Sequence, residues 1–138
     1  MKHHGNKSEH TKHRYSDLMR VYRNEVKKAG NIFLPDLLTK VVNSPSVRFW
    51  VSAERAAIVI ARIMRGDPLK EMRPLRREMF FEIYRQAMEL KKQQPNMTVK
   101  NLAEIVVHLP APKFYMTPGS AKVILHKIKK EQEKNKHS

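Results

Sequence analysis

The segment "SPSVRFWVSAERAAIVIARI" (residues 44–63) decides the fold, because nearly the same segment returns as "LPAPKFYMTPGSAKVILHKI" (residues 109–128). Each copy places a proline, a basic residue, two adjacent aromatic residues and a hydroxyl residue before a largely apolar run. The alignment extends to residues 21–63 against residues 83–128, with three extra residues near Lys91 and ten identical positions. A match of this length with one gap indicates a tandem duplication.

Each repeat predicts three helices. In the first helix, apolar and aromatic residues recur every four positions and so share one face, at Leu18, Tyr22 and Val26 in one repeat and Phe80, Tyr84 and Met88 in the other. The second helix is expected to begin near Pro35 or at an N-cap, Thr98, and to end before Pro45 or Pro110. Phe33 aligns with Thr98 and cannot cap a helix through its side chain, so the repeats differ at the start of the second helix.

The third helices are predicted to begin at N-caps Ser52 and Thr117, with Pro118 as a first helical residue. Their inward faces have helical spacing, at Ala56, Val59, Ile60 and Ile63 and at Ala121, Ile124, Leu125 and Ile128. The opposite faces differ, with Ala57, Ile58, Ala61 and Met64 in the first repeat and Lys122, His126, Lys127, Lys129 and Lys130 in the second. We therefore expect the third helix of the first repeat to be buried against the other repeat. The third helix of the second repeat is expected to be exposed.

The predicted fold is all-α, a tandem duplication of a three-helix, helix-turn-helix-like unit packed into one compact body. A disordered basic, histidine-rich tail is expected at residues 1–13, the first repeat at 14–66, a linker at 67–74, the second repeat at 75–130 and a charged tail at 131–138. The resemblance to helix-turn-helix proteins is architectural, because the link at residues 43–52 is longer than the usual tight turn and lacks glycine.

The aromatic links carry two kinds of side chain. Phe49 and Phe114 are identical between the repeats and are predicted to fill the cores. Trp50 and Tyr115 point the other way if the links are extended. Each could then be a second core contact, a contact between repeats or a platform on which bases stack. Beside them, Arg48 and Lys113 precede helix N-termini, where they fit either phosphate clamps or solvated basic side chains.

The net charge limits the classes of binding partner that the protein is expected to attract. The chain has 28 Lys and Arg against 13 Asp and Glu, which gives +15, and residues 1–72 and 73–138 carry +7 and +8. Such a field attracts polyanions, most commonly nucleic acid, with an anionic membrane surface or an acidic protein as alternatives. No cysteine is present, which excludes disulfides and thiolate chemistry. No signal peptide is recognisable, and the longest apolar run, residues 56–61, is too short to span a membrane, so we expect a cytoplasmic protein.

Enzymatic motifs are not found. The sequence has no glycine-rich phosphate loop, no metal-ligand spacing and no Ser/His/Asp grouping, and most histidines lie in the tails, at His3, His4, His10, His13 and His137. We therefore predict no enzymatic activity, no cofactor and no metal site.

The predicted function is nucleic-acid binding, to duplex DNA first, as a regulator or accessory factor of chromosome or mobile-element biology. The candidate contacts are Arg48, Trp50, Lys113, Tyr115, Lys122, His126, Lys127, Lys129 and Lys130. The alternative is a non-enzymatic structural or adaptor protein that docks on another protein. Charge clustered on one face favours the first function, and an even scatter of charge with an apolar groove favours the second.

Overall fold

A computed structural model describes residues 3–30 and 33–136, and within these ranges the chain is helical and has no β-strand. The helices are α1 (His3–Ala29), α2 (Leu34–Val42), α3 (Ala53–Met64), α4 (Pro74–Gln93), α5 (Val99–Val106) and α6 (Pro118–Lys136). The all-α class is confirmed, and the helices occur in the order that the sequence predicts.

The helices pack in two compact units. Unit 1 comprises Met1–Ser46 and Pro112–Ser138, and unit 2 comprises Val47–Ala111. In unit 1, α1 packs on α2 and α6, and α2 packs on α6; in unit 2, α3 packs on α4 and α5, and α4 packs on α5. The third helix of each repeat therefore belongs to the unit that holds the first two helices of the other repeat.

This exchange changes the predicted organisation. The compact units do not coincide with the contiguous repeats at residues 14–66 and 75–130, since each unit draws helices from both. A helix-turn-helix motif needs consecutive helices in one body, whereas α2 and α3 belong to different units, as do α5 and α6. The duplication itself stays a prediction from the sequence.

The core of unit 1 lies between α1, α2 and α6. Its buried side chains include Leu18, Val21, Leu37, Val41, Ala121, Ile124 and Leu125. Phe114 is buried as predicted, and its backbone N–H donates to the carbonyl of Val42 at 3.0 Å. The inward face predicted for α1 is only partly correct, because Val26 is 42% exposed and Val21 points inward in its place.

The core of unit 2 is built in the same way. It contains Ala56, Val59 and Ile60 from α3, Phe80, Ile83 and Ala87 from α4, and Leu102, Ala103 and Val106 from α5. Phe49 is buried as predicted, and its N–H donates to the carbonyl of Val107 at 3.0 Å. Each link thus places its phenylalanine beside the end of the second helix of the other repeat.

The expected burial of the second apolar face of α3 is wrong for its two large side chains, while Ala57 and Ala61 are half-buried. Ile58 is 54% exposed and Met64 is 46% exposed. The helix packs through the face of Ala56, Val59 and Ile60, which is enough to hold it on α4 and α5. Exposed apolar side chains of this kind are common on folded proteins.

The helix starts follow the local sequence. Ser52 Oγ accepts the N–H of Arg55 at 3.1 Å, Thr98 Oγ1 accepts that of Asn101 at 3.2 Å, and Thr117 Oγ1 accepts that of Ser120 at 3.1 Å. These three bonds satisfy backbone donors that the first turn leaves open, so the predicted caps are confirmed. Phe33 occupies the N-cap of α2 and makes no side-chain cap bond.

The segment predicted as a linker, residues 67–74, is an ordered part of unit 2. Leu69 is fully buried, with φ at 54°, and its N–H donates to Asp67 Oδ1 at 2.8 Å. Arg62 Nε donates to Asp67 Oδ2 at 2.8 Å, and Arg62 also pairs with Glu71 at 2.7 Å. The Leu69 N–H, and next Arg62, hold the pKa of Asp67 below its usual value.

Helices extend into both terminal segments, and the disorder expected at residues 1–13 stays a prediction. Because α1 begins at His3 and α6 ends at Lys136, most of residues 1–13 and 131–138 are helical here. The side chains of His3, His4 and His137 lie outside the described residues.

Candidate nucleic-acid interface

The exposed side of α6 carries the densest group of the predicted contacts. We call it the α6 basic face, and it consists of Lys122, His126, Lys127, Lys129 and Lys130, all exposed. Helical periodicity places these residues opposite the buried Ala121, Ile124 and Leu125. Residues 118–130 contain no Asp or Glu, whereas Glu131 and Glu133 follow on the same helix and line a pocket together with Lys127 and Lys130.

Most of this face is unpaired within the part of the chain that the structure describes. There, Lys122, Lys127 and Lys130 form no salt bridge and no hydrogen bond. Lys129 differs, since its Nζ lies 3.3 Å from Tyr22 Oη and 4.9 Å from the centre of the Tyr22 ring. Lys129 therefore also contacts α1, whereas the other three ammonium groups are available to an external anion.

Lys113 and Tyr115 lie in the link that leads into α6 and are half-buried in unit 1. Lys113 Nζ lies 5.5 Å from the centre of the Tyr115 ring, within the range of a cation–π contact. Tyr115 adopts φ of 57°, a left-handed conformation that is uncommon for a residue with a Cβ. The link thus turns sharply just before the cap of α6.

Arg48 and Trp50 lie in the corresponding link of unit 2. The Arg48 guanidinium carbon lies 5.3 Å from the centre of the Trp50 ring, and both side chains are half-buried. Arg48 Nε donates to the carbonyl of Phe49 at 3.0 Å, and its Nη2 donates to that of Val51 at 2.9 Å. Burial lowers the pKa of Arg48, and the charge of Glu104 opposes that effect. These bonds fasten the link.

The predicted contacts fall into two groups. Unit 1 holds Lys113, Tyr115 and the α6 basic face, and unit 2 holds Arg48 and Trp50. Unit 1 has 16 Lys and Arg against 6 Asp and Glu, a net charge of +10, while unit 2 has 12 against 7, a net charge of +5. The electrostatic attraction of a polyanion is therefore stronger at unit 1.

Sequence reasoning passed over a second basic group at the start of α4, Arg73, Arg76 and Arg77. The sequence signal is the dense run "RPLRR", which spans the end of the predicted linker at residues 67–74 and the start of the second predicted repeat at residues 75–130. Two further properties concern the described residues alone. No group of three or more His, Asp or Glu side chains among them could hold a metal ion, and no helix has the length and apolar character needed to cross a membrane.

Comparison with known proteins found no protein-family model, no curated protein and no solved structure that matches this chain.

Proposed function

We propose that the protein binds nucleic acid, duplex DNA first, through contacts of unit 1 with backbone phosphates. In the cell it would act as a regulator or accessory factor of chromosome or mobile-element biology. The observation that supports this most is the α6 basic face, where three exposed lysines lack carboxylate partners among the described residues. Lysine ammonium groups on flexible stems suit phosphate oxygens, and they give affinity with little sequence readout.

The spacing of the face suits a phosphate backbone. Lys122, His126 and Lys130 are four residues apart on one side of α6, so their Cα atoms rise by about 6 Å per step. Lys127 lies on the neighbouring row, so the charges form a band along the helix rather than a point. A band of this kind can neutralise several phosphates and release their counterions.

The alternative function, docking on another protein, rests on exposed apolar side chains such as Phe33, which is 70% exposed. Val123, within the basic band of α6, is also exposed. Such side chains occur singly on most folded proteins. We therefore place nucleic-acid binding first and make protein docking an outcome of the test.

The test is a titration of the full chain against labelled duplex DNA, single-stranded DNA and RNA of one sequence, at four salt concentrations. With about six phosphates contacted on duplex DNA, the logarithm of affinity should fall against the logarithm of salt with a slope near −5. The variant K122Q/K127Q/K130Q should reduce the magnitude of that slope by about 2.7, since three contacts are lost. Lys129 is left intact because it contacts Tyr22.

A matched control removes the same charge elsewhere. K91Q/K92Q/K100Q changes three lysines of unit 2, on α4 and α5. We expect this control to keep a slope close to that of the parent. Equal binding by the parent and the α6 variant would exclude the α6 basic face, and a salt-independent or undetectable interaction of the parent would favour protein docking.

A further inference from the structure

The arginines of this chain lie in two kinds of environment. Arg20, Arg62 and Arg85 each pair with a carboxylate, at 2.6 Å to Asp17, 2.8 Å to Asp67 and 2.7 Å to Glu82. Among the arginines that form no salt bridge within the described residues, four lie in the first turn of α3 or at the start of α4, namely Arg55, Arg73, Arg76 and Arg77. We call these four the arginine edge, and all belong to unit 2.

The arginine edge lies where two helices begin. Arg55 is in the first turn of α3, Arg73 is the N-cap residue of α4, and Arg76 and Arg77 are in the first turn of α4, which packs on α3. The first turn of α4 contains no acid, and the Arg73 side chain makes no cap bond. A helix N-terminus is already positive and favours anions, so Arg73, Arg76 and Arg77 add to that potential at α4. The first turn of α3 differs, since it carries Glu54 beside Arg55.

Two of the guanidinium groups are held against aromatic rings. The Arg76 guanidinium carbon lies 5.1 Å from the centre of the ring of Phe80, a core residue, and that of Arg77 lies 5.8 Å from the centre of the Phe81 ring. Arg77 Nε also donates to the carbonyl of Pro68 at 2.9 Å. Stacking limits the motion of a guanidinium while leaving N–H donors at its edge.

The neighbouring charges on this edge repel each other. Partial burial, and next the positive charge of Arg55, lower the pKa of Arg76 from its usual value. An anion bound between the two guanidinium groups would relieve this repulsion. The charge of Arg55 is therefore close enough to Arg76 to be felt there, which favours an anion at this edge.

We propose that the arginine edge is a second nucleic-acid contact, on which guanidinium groups bind backbone phosphates of the same kind of ligand as the α6 basic face. This inference rests on the proposed function and extends it from unit 1 to unit 2. Guanidinium forks can donate two parallel hydrogen bonds to one phosphate, which an ammonium group cannot do. The two surfaces therefore differ in chemistry, with lysines on α6 and arginines on unit 2.

The test uses the full chain and duplex DNA in the same salt titration. R73Q/R76Q should reduce the magnitude of the salt slope by about 1.8, as two phosphate contacts are lost. R73K/R76K keeps both charges, so it should retain most of the slope while binding more weakly than the parent, because lysine cannot form the fork. K92Q/K100Q, which removes two exposed lysines at the end of α4 and in α5, is the matched control and should bind as the parent does.

Arg76 contacts a core ring, so R73Q/R76Q requires a fold check by thermal unfolding. The single variant R73Q keeps the proposal testable if the double variant is unstable, because the Arg73 side chain makes no hydrogen bond or salt bridge within the described residues. We expect a slope reduction of about 0.9 from R73Q.

The outcomes separate this inference from the proposed function. Suppose that the parent binds DNA with a steep salt dependence and that K122Q/K127Q/K130Q weakens this binding. If R73Q and R73Q/R76Q then bind as tightly as K92Q/K100Q, the arginine edge is not a contact. That result would overturn this inference and leave the proposed function standing. Equal affinity of R73K/R76K and the parent would overturn recognition by guanidinium forks. Absence of binding by the folded parent would overturn both.

Discussion

The exchange of the third helices can be tested with one chemical change made in two places. Ile60 on α3 and Ile124 on α6 are both buried, in unit 2 and unit 1 respectively. Ile60→Val and Ile124→Val each remove one methylene group. Such a deletion in a packed core lowers the free energy of unfolding by about 0.5–1.5 kcal/mol, since the surroundings relax only in part. Thermal midpoints should fall by roughly 4 °C.

The assay that locates the change is the amide proton–nitrogen spectrum of each folded variant. Since α3 packs on α4 and α5, Ile60→Val should shift amide resonances mainly in those two helices. Since α6 packs on α1 and α2, Ile124→Val should shift amides mainly there. The variants are conservative enough to remain folded, so the comparison reads native contacts rather than the cooperativity of unfolding.

The opposite pattern would refute the exchange. If Ile60→Val perturbed α1 and α2 while leaving α4 and α5 unchanged, the compact units would be the contiguous repeats at residues 14–66 and 75–130. Wild-type spectra at matched pH and temperature provide the baseline, and each variant serves as the other's control.

Two further predictions concern single sites. Phe33 is the N-cap of α2, with extended backbone angles (φ −64°, ψ 129°) and no cap bond. Phe33→Asp should therefore raise the free energy of unfolding by about 1 kcal/mol in urea titrations. Phe33→Ala is the control, and equal stability of the Asp and Ala variants would contradict the capping argument. The folded-state pKa of Asp67 is lowered, so its contribution to stability should be present above its unfolded pKa of about 3.9 and be lost as pH falls through the lower folded value. The stability difference between the parent and Asp67→Asn should therefore shrink from pH 5 to pH 2.5, and a constant difference would show that the carboxylate charge is not involved.

Local features of the fold were predictable because they depend on neighbouring residues. The hydroxyl caps at Ser52, Thr98 and Thr117 form because a side-chain oxygen there meets the open donors of the first turn. The buried positions of Phe49 and Phe114 follow from the apolar segments around them. The α6 basic face was visible in the same way, since helical spacing separates its lysines from the apolar side.

Polar contacts between distant segments were not predictable. Asp17 is buried on α1, where its carboxylate accepts a hydrogen bond from Ser46 Oγ at 2.8 Å and pairs with Arg20 at 2.6 Å. The residues that align with Asp17 and Ser46 in unit 2 are Met79 and Ala111, and both are buried. A buried carboxylate is rare unless it is paired, and its partner Ser46 is remote in the sequence.

The environment of Arg48 was also not predictable. Its position before a helix fits either a phosphate clamp or a solvated side chain, and in the structure its guanidinium donates to the carbonyls of Phe49 and Val51. The link bends back on itself there, because the N–H of Val51 donates to the carbonyl of Phe49 at 3.0 Å. An extended link would have left both carbonyls out of reach, so this contact depends on a bend that the residue pattern does not specify.

The exchange of third helices has a physical explanation that the apolar pattern alone does not contain. The inward faces are nearly interchangeable, with Ala56, Val59 and Ile60 in α3 matching Ala121, Ile124 and Leu125 in α6. Either helix would bury similar apolar area on either pair of partners, so the hydrophobic effect does not separate the two arrangements. The connection to the second helix must therefore contribute to the choice.

That connection is long in both repeats. Residues 43–52 can span about 33 Å when extended, far more than the tight turn that makes consecutive helices pack together. The backbone bonds of the links are made in the exchanged arrangement, where the N–H of Phe49 reaches the carbonyl of Val107 and that of Phe114 reaches the carbonyl of Val42. Each bond closes a helix end that would otherwise leave a carbonyl open. The long link permits the exchange and its phenylalanine amide stabilises it, whereas the composition of the helices is compatible with both arrangements.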